Sequence, residues 1–150
     1  MARLEVPLRD RTLWTTGDVL LWAELILLLR TQQQTWKPFI FRVDSGTEMT
    51  TMPAFRAKLR DLPFPRQAVP GVALKGQQLR AGYIRAQVLG LDRTEFVFPC
   101  YFLGDPDAPP PPRAPFNLLA LSGVVDKIRL AFDGKPKLGA PNGILVVEKQ

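Results

Sequence analysis

Apolar residues occur along the chain in short runs that polar or turn-forming residues separate. The clearest run is 36–43, in which Phe39 and Phe41 fall on one face of an extended strand and Ile40 and Arg42 on the other. Fifteen prolines interrupt the chain and make long helices unfavourable. Many short strands between frequent turns predict an all-β fold, built as a small closed or nearly closed β-barrel.

The remaining elements follow from the same pattern. Val19–Leu29 suits a buried strand, but its leucines also suit a helix, so both interpretations remain open. One short helix is predicted near the C-terminal part, at 124–128, and 53–59 could form one or two helical turns with Pro53 near the start. The further strands are predicted at 82–91, 94–103, 117–121, 129–132 and 143–148.

A length of 150 residues suits one domain with a modest core. We expect an N-terminal extension at 1–18, a main domain at 19–134 and a C-terminal segment at 135–150. Residues 105–115 are rich in proline and predict an extended, polyproline-like loop between strands.

The chain has no histidine and one cysteine. Ser-His-Asp and Cys-His catalysis within the chain are therefore excluded, as are zinc sites built from Cys and His, and we expect no metal and no cofactor. A single cysteine forms no disulfide framework, which suits a reducing interior. Cys100 lies in the apolar run 96–102 and is predicted to be a small buried hydrophobe.

The net charge is +6, but the basic residues are scattered and form no block of five or six. This pattern favours the solvated surface of a soluble protein that binds no nucleic acid. A basic β-barrel that binds nucleic acid is a third interpretation, although the aromatic residues lack the basic interleaving of a stacking platform. The most hydrophobic window, Val19–Leu29, contains Glu24 and is too short for a membrane span. We expect no membrane association, and a soluble, disulfide-free chain suits the cytoplasm.

The motif Asp44-Ser45-Gly46-Thr47 directly follows the apolar strand 36–43. Asp-Ser-Gly is common in turns, so a turn without further function is one interpretation. In this context, however, the strand would place the carboxylate on a rigid, tight loop, and the hydroxyls of Ser45 and Thr47 could orient it. A second apolar segment far downstream, 115–122, completes a recognisable pattern.

With these two segments the chain resembles the retropepsin-like aspartic proteases, the single-domain, retroviral-type enzymes and their cellular and bacterial relatives. That family has a strand, then Asp-Thr/Ser-Gly-Ala/Thr, then a flap hairpin, and later an apolar pair, Gly and a short helix. Residues 43–47 match the first part, and Asn117–Leu119 match the later strand. Ala120 stands where the family usually has Gly, and Leu121-Ser122 where it often has Arg-Asp or Arg-Asn. The resemblance covers about 19–134.

The resemblance implies a closed acid-protease barrel in which Asp44 is catalytic and the rest of its loop supports it. It implies a flap over about 69–83, for which a plain hairpin is the alternative. The flap tip would comprise Gly71, Val72, Ala73, Leu74, Lys75 and Gly76. The substrate pocket would be lined by Phe116, Asn117 and Leu118, together with Val72, although Phe116 and Leu118 could instead be core residues.

Hydrolysis of this kind needs two carboxylates that share one proton, because both cannot ionise side by side. The chain has one Asp-Ser-Gly motif and is too short for two barrel lobes, so a two-fold homodimer would have to pair Asp44 with its symmetry mate. We therefore predict a homodimeric aspartic endopeptidase that acts on peptides or proteins, with 135–150 as a possible dimer strand. The alternative is a non-catalytic dimerisation or peptide-binding module of the same fold.

Overall fold

The computed structural model of the chain describes residues 2–113 and 115–150, which form twelve strands and one short helix. Their bounds are β1 (Arg3–Pro7), β2 (Arg9–Thr12), β3 (Val19–Trp22), β4 (Glu24–Arg30), β5 (Trp36–Val43), β6 (Thr50–Pro53), α1 (Ala54–Leu59), β7 (Ala73–Leu74), β8 (Gln77–Val88), β9 (Phe96–Leu103), β10 (Asn117–Leu119), β11 (Ile128–Asp133) and β12 (Ile144–Lys149).

Six of the strands close into a barrel. Their order is β4-β5-β10-β6-β9-β8, and β8 pairs back onto β4 to complete the ring. The sheet is mixed, because β10 runs parallel to β5 and β6 runs parallel to β9, whereas β4–β5 and β8–β9 are antiparallel. The prediction of an all-β, closed barrel is confirmed.

Alternate residues of the barrel strands fill the core. In β5, Phe39 and Phe41 are buried, whereas Ile40 between them is 58% exposed, as the alternation of the sequence predicts. Cys100 on β9 is fully buried, and this burial raises the pKa of its thiol. The prediction that Cys100 acts as a small buried hydrophobe is confirmed.

A three-stranded sheet joins the two ends of the chain in the order β1-β12-β11. Leu4 and Val6 of β1 pack against the barrel core, so the residues predicted as an N-terminal extension are part of the folded unit. The predicted boundaries after residues 18 and 134 thus separate strands that pair with each other. β12 has a neighbour on each edge, so the segment 135–150 uses its strand within the chain, and that strand has no open edge for a second subunit.

The helix lies in a different place from the one predicted near the C-terminal part. The helical segment is α1, within the predicted 53–59. Residues 122–127 form consecutive turns, in which Val125 donates to the Leu121 carbonyl and Ile128 to the Val124 carbonyl. The chain enters β11 at Ile128, and the strand pairing with β12 ends the helical path there. Within 2–113 and 115–150, no helix has the length and apolarity needed to cross a membrane.

The segment Val19–Leu29, for which strand and helix were both open, forms two strands that separate at the fully buried Ala23. β4 belongs to the barrel, whereas β3 pairs with β2 in a hairpin outside it. Leu20 and Leu21 are therefore about half exposed, although their sequence is as apolar as that of β4. Pairing partners, not local hydrophobicity, distinguish the two halves.

Candidate active site

Asp44 follows the last residue of β5 and is held by the neighbouring strand β10. Leu119 lies opposite Val43 in the parallel pair, and the Asp44 N–H donates to the Leu119 carbonyl over 2.9 Å. The β5–β10 hydrogen bonding thus continues one residue past the strand. Asp44 is half-buried, so a carboxylate stands at a rigid strand end with access to solvent.

The loop after Asp44 folds back on that carboxylate. The Gly46 N–H donates to Asp44 Oδ1 over 3.0 Å, and the Thr47 N–H donates to the Asp44 carbonyl over 3.4 Å. Ser45 and Gly46 are exposed. In the part of the chain that the structure describes, the hydroxyls of Ser45 and Thr47 form no hydrogen bond. The backbone of the loop, and not those hydroxyls, therefore orients the carboxylate within one chain.

Thr50 provides a further link between the loop and β10. Its Oγ1 accepts a hydrogen bond from the Ala120 N–H over 3.0 Å, and both residues are fully buried. The family that the chain resembles usually has Gly at the position of Ala120. The backbone of Ala120 has no positive φ, so the fold has room for its methyl group there. Sequence reasoning missed Thr50, because β6 is buried along its whole length and shows no alternation that would single out one residue.

Replacing Thr50 with valine should destabilise the protein by about 1–3 kcal/mol, because the buried Ala120 N–H would lose its acceptor. Urea unfolding followed by circular dichroism measures the change. Thr50→Ser keeps the hydroxyl and should cost clearly less than Thr50→Val. A larger loss in Thr50→Ser than in Thr50→Val would contradict this, because valine keeps the methyl group and serine keeps the hydroxyl.

A cleft of about 560 Å³ opens beside the loop, and its lining is mostly apolar. The walls of the cleft are formed by β6, α1, the β7–β8 hairpin, β10 and the loop that follows β9. Of the residues predicted for the substrate pocket, Phe116 and Leu118 line this cleft and Val72 does not. Asp44 is not among the lining residues. It stands just beyond the Arg42–Leu118 pair that connects β5 to the cleft wall.

Asn117, which was also predicted as a pocket residue, does not line this cleft. Because side chains alternate along a strand, Asn117 points away from the face that carries Phe116 and Leu118 and is buried. Its Nδ2 donates to the Ile40 carbonyl over 3.0 Å, and its Oδ1 accepts from Arg56 Nη1 over 2.7 Å. Asn117 therefore fastens β10 to β5 and to α1.

Arg56 on α1 is a second positioning residue that sequence reasoning missed. The same Nη1 also donates to the Pro115 carbonyl over 2.8 Å, so one side chain holds the start of β10. Burial, and to a lesser degree the cation of Arg60, lowers the pKa of the Arg56 guanidinium. A basic residue on a short helix carries no signal of such a role until the helix is placed against β10.

The predicted flap forms a hairpin of β7 and β8. Its two-residue turn is Lys75-Gly76, and both residues have positive φ, 53° and 73°, as tight hairpin turns require. Lys75 lines the cleft, whereas the other residues predicted for the tip do not. At the hairpin base, buried Arg80 donates to the carbonyls of Arg66 and Gly104 over 3.2 and 3.0 Å.

The proline-rich segment predicted as a loop at 105–115 connects β9 to β10, and Ala114 within it lies outside the described residues. Pro109 and Pro111 form part of the cleft wall. An ion pair between Asp107 and Lys58 ties the loop to α1. Among the described ranges, no group of three or more His, Cys, Asp or Glu side chains is arranged to hold a metal ion.

No protein-family model matches the chain, and no curated protein matches it in sequence. Among solved structures, the chain is similar to a retropepsin-like aspartic protease from Rickettsia conorii, with a TM-score of 0.57 at 10% sequence identity. The similarity covers 97% of this chain and 89% of that chain. It shows that the chain has the retropepsin-like fold, as the resemblance of its motifs predicted.

Proposed function

We propose that this chain, which has the retropepsin-like fold, is an aspartic endopeptidase that acts as a homodimer. The observation that carries the proposal is the position of Asp44. A half-buried carboxylate stands at the end of β5, its backbone is bonded to β10, and its loop turns back to donate to Oδ1. A carboxylate that must lie close to a second carboxylate requires rigid support of this kind.

In the proposed dimer, the two Asp44 side chains share one proton. The charged carboxylate takes a proton from a water molecule, and that water attacks the peptide carbonyl carbon. The protonated partner donates its proton to the carbonyl oxygen, which becomes a hydroxyl. As the C–N bond breaks, the departing amine takes the proton that the first carboxylate removed from water, and the hydroxyl returns its proton to the partner, so the pair again shares one proton.

The dimer follows from the number of carboxylates that each chain supplies. The chain has one Asp-Ser-Gly motif, and the exposed Ser45 and Gly46 leave the face of the loop accessible to a second copy. An isologous interface places the same loop from both subunits on the two-fold axis. β12 is paired on both edges, so the proposed interface does not use its backbone.

The cleft supports an extended peptide or protein segment as the substrate. Phe116 and Leu118 offer apolar contacts on one wall, and the β7–β8 hairpin with Lys75 stands over the other. The neighbour of known structure is named an aspartic protease, which agrees with this substrate class. A peptide-binding module without catalysis would use the same cleft.

The test is an assay of purified protein on a denatured mixed-protein substrate from acidic to neutral pH, with sedimentation measured over the same concentrations. Specific activity should rise with the fraction of dimer, because monomers carry half a site. Cleavage by a monomer that never dimerises would contradict the proposed pairing. A stable dimer that binds peptides and cleaves none of them would support the binding module instead.

A further inference from the structure

Arg42 stands on β5 two positions before Asp44. Because side chains two residues apart on a strand point to the same face, the guanidinium and the carboxylate lie on one side of the sheet. Leu118 pairs with Arg42 in the parallel register of β5 and β10, and Leu118 lines the cleft. Arg42 thus lies on the face of the proposed catalytic carboxylate and next to a residue that lines the cleft.

Two aromatic rings hold the Arg42 guanidinium in place. Its Cζ lies 3.8 Å from the ring centroid of Phe116 and 4.6 Å from that of Trp22. Phe116 is itself a cleft residue and is 57% exposed. A guanidinium that stacks on aromatic faces keeps its N–H groups directed along its edge, where they can bind a planar acceptor.

The Arg42 cation has no carboxylate partner in the described chain. Glu24 lies opposite it in the β4–β5 register, but the Glu24 oxygens accept from Trp22 Nε1 over 3.1 Å and from Arg9 Nη1 over 2.7 Å. Because Arg9 balances the charge of Glu24, this group of side chains keeps one net positive charge. Arg42 Nε is buried and donates no hydrogen bond within residues 2–113 and 115–150.

The two Nη groups of Arg42 also form no hydrogen bond within the described residues and, unlike Nε, are not fully buried, so a ligand oxygen can reach them and supply the missing acceptor. We propose that Arg42 is a specificity residue that binds a carboxylate of the peptide substrate, an Asp or Glu side chain close to the scissile bond. This inference rests on the proposed function and names its substrate class. The planar guanidinium pairs with both oxygens of a carboxylate, and its two rings hold it ready, so little freedom is lost on binding.

The test uses eight-residue peptides of neutral, apolar sequence in which one position at a time carries Glu or Gln. Wild-type protein should cleave the Glu peptide about tenfold or more faster than the Gln peptide at one position near the scissile bond. In Arg42→Leu this ratio should fall to about one, and in Arg42→Lys it should be intermediate, because lysine keeps the charge without the fork. The ratio does not depend on the overall activity of a variant.

Arg30→Leu is the matched control. Arg30 also stacks on a tryptophan, 5.0 Å from the Trp36 centroid, but at the far end of β4 and β5. The Arg30→Leu variant loses the same charge and the same kind of contact as Arg42→Leu, but its preference for the Glu peptide should persist. A wild-type ratio near one at every position, or a ratio that survives Arg42→Leu, would overturn the inference.

A failure of the proposed function gives a different result. If wild-type protein cleaves none of the peptides, fluorescence anisotropy with labelled copies of the same Glu and Gln peptides decides the matter. Glu-dependent binding that Arg42→Leu removes would uphold a carboxylate subsite on a binding module. Equal binding of Glu and Gln peptides, or no binding of either, would reject the subsite.

Discussion

Asp44→Asn should fold and dimerise like the wild-type protein and cleave peptides about 10²–10⁴-fold more slowly. An amide has nearly the shape of a carboxylate and can still accept from the Gly46 N–H through its oxygen, so the loop should keep its structure. It cannot take a proton from water, and the loss of a positioned general base costs about 10²–10⁴-fold in rate. Cleavage of a denatured protein mixture, followed by mass spectrometry, measures the loss.

Asp126→Asn is the control for this change. Asp126 is an exposed aspartate with a surface ion pair to Lys127, so the same substitution there should leave cleavage unchanged. Equal cleavage by the Asp44→Asn and wild-type proteins would end the protease hypothesis. Loss of secondary structure in Asp44→Asn would instead assign a structural role to the carboxylate.

Mixing the subunits tests whether both carboxylates act together. After exchange of equal amounts of wild-type and Asp44→Asn chains, about one quarter of the dimers would carry two carboxylates, by random pairing in a two-fold assembly. Activity should therefore fall to about a quarter of that of the same total amount of wild-type protein. A fall to about half would mean that each subunit works alone.

Gly143→Ala should destabilise the protein by about 3 kcal/mol or more. Gly143 has φ of 96°, and a Cβ there would collide with the carbonyl oxygen of Asp133 and approach Gly134 Cα to 2.7 Å. These are backbone atoms, which cannot rotate away as a side chain does. The residue also precedes β12 and accepts from the Leu8 N–H over 2.9 Å, so the strain acts where both chain ends meet. The expected loss of about 3 kcal/mol combines the cost of an unfavourable positive φ with the cost of overpacking.

Two other glycines, which lie in the same connection between β11 and β12, separate the effect of the positive φ from the effect of overpacking. Gly139 has φ of 77° and open space where an alanine methyl group would stand, so Gly139→Ala should cost about 1–2 kcal/mol from backbone strain alone. Gly134 has open space and no positive φ, so Gly134→Ala should stay within about 0.5 kcal/mol of wild type. Labelling of the buried Cys100 thiol during urea unfolding reports all three changes. Equal stability of the three variants would contradict the steric argument.

Much of the site could be predicted from one chain segment. The alternation of Phe39, Ile40 and Phe41 correctly assigns the inner and outer faces of β5, and the Asp44 loop follows at its end. The same alternation places Arg42 on the face of Asp44, a signal that could have identified it as a site residue. Asn117 shows the limit, because membership of an apolar segment did not reveal on which face its amide lies.

The all-β class, the short elements and the loop at Asp44 could be read from the amino-acid sequence, because they depend on the period of hydrophobic residues and on turn chemistry within a few residues. Four contacts required the folded chain: Leu119 holds Asp44, Thr50 holds Ala120, and Trp22 and Phe116 each stack on Arg42. These contacts join strands distant in sequence. Their register is set by barrel closure, which no local pattern records.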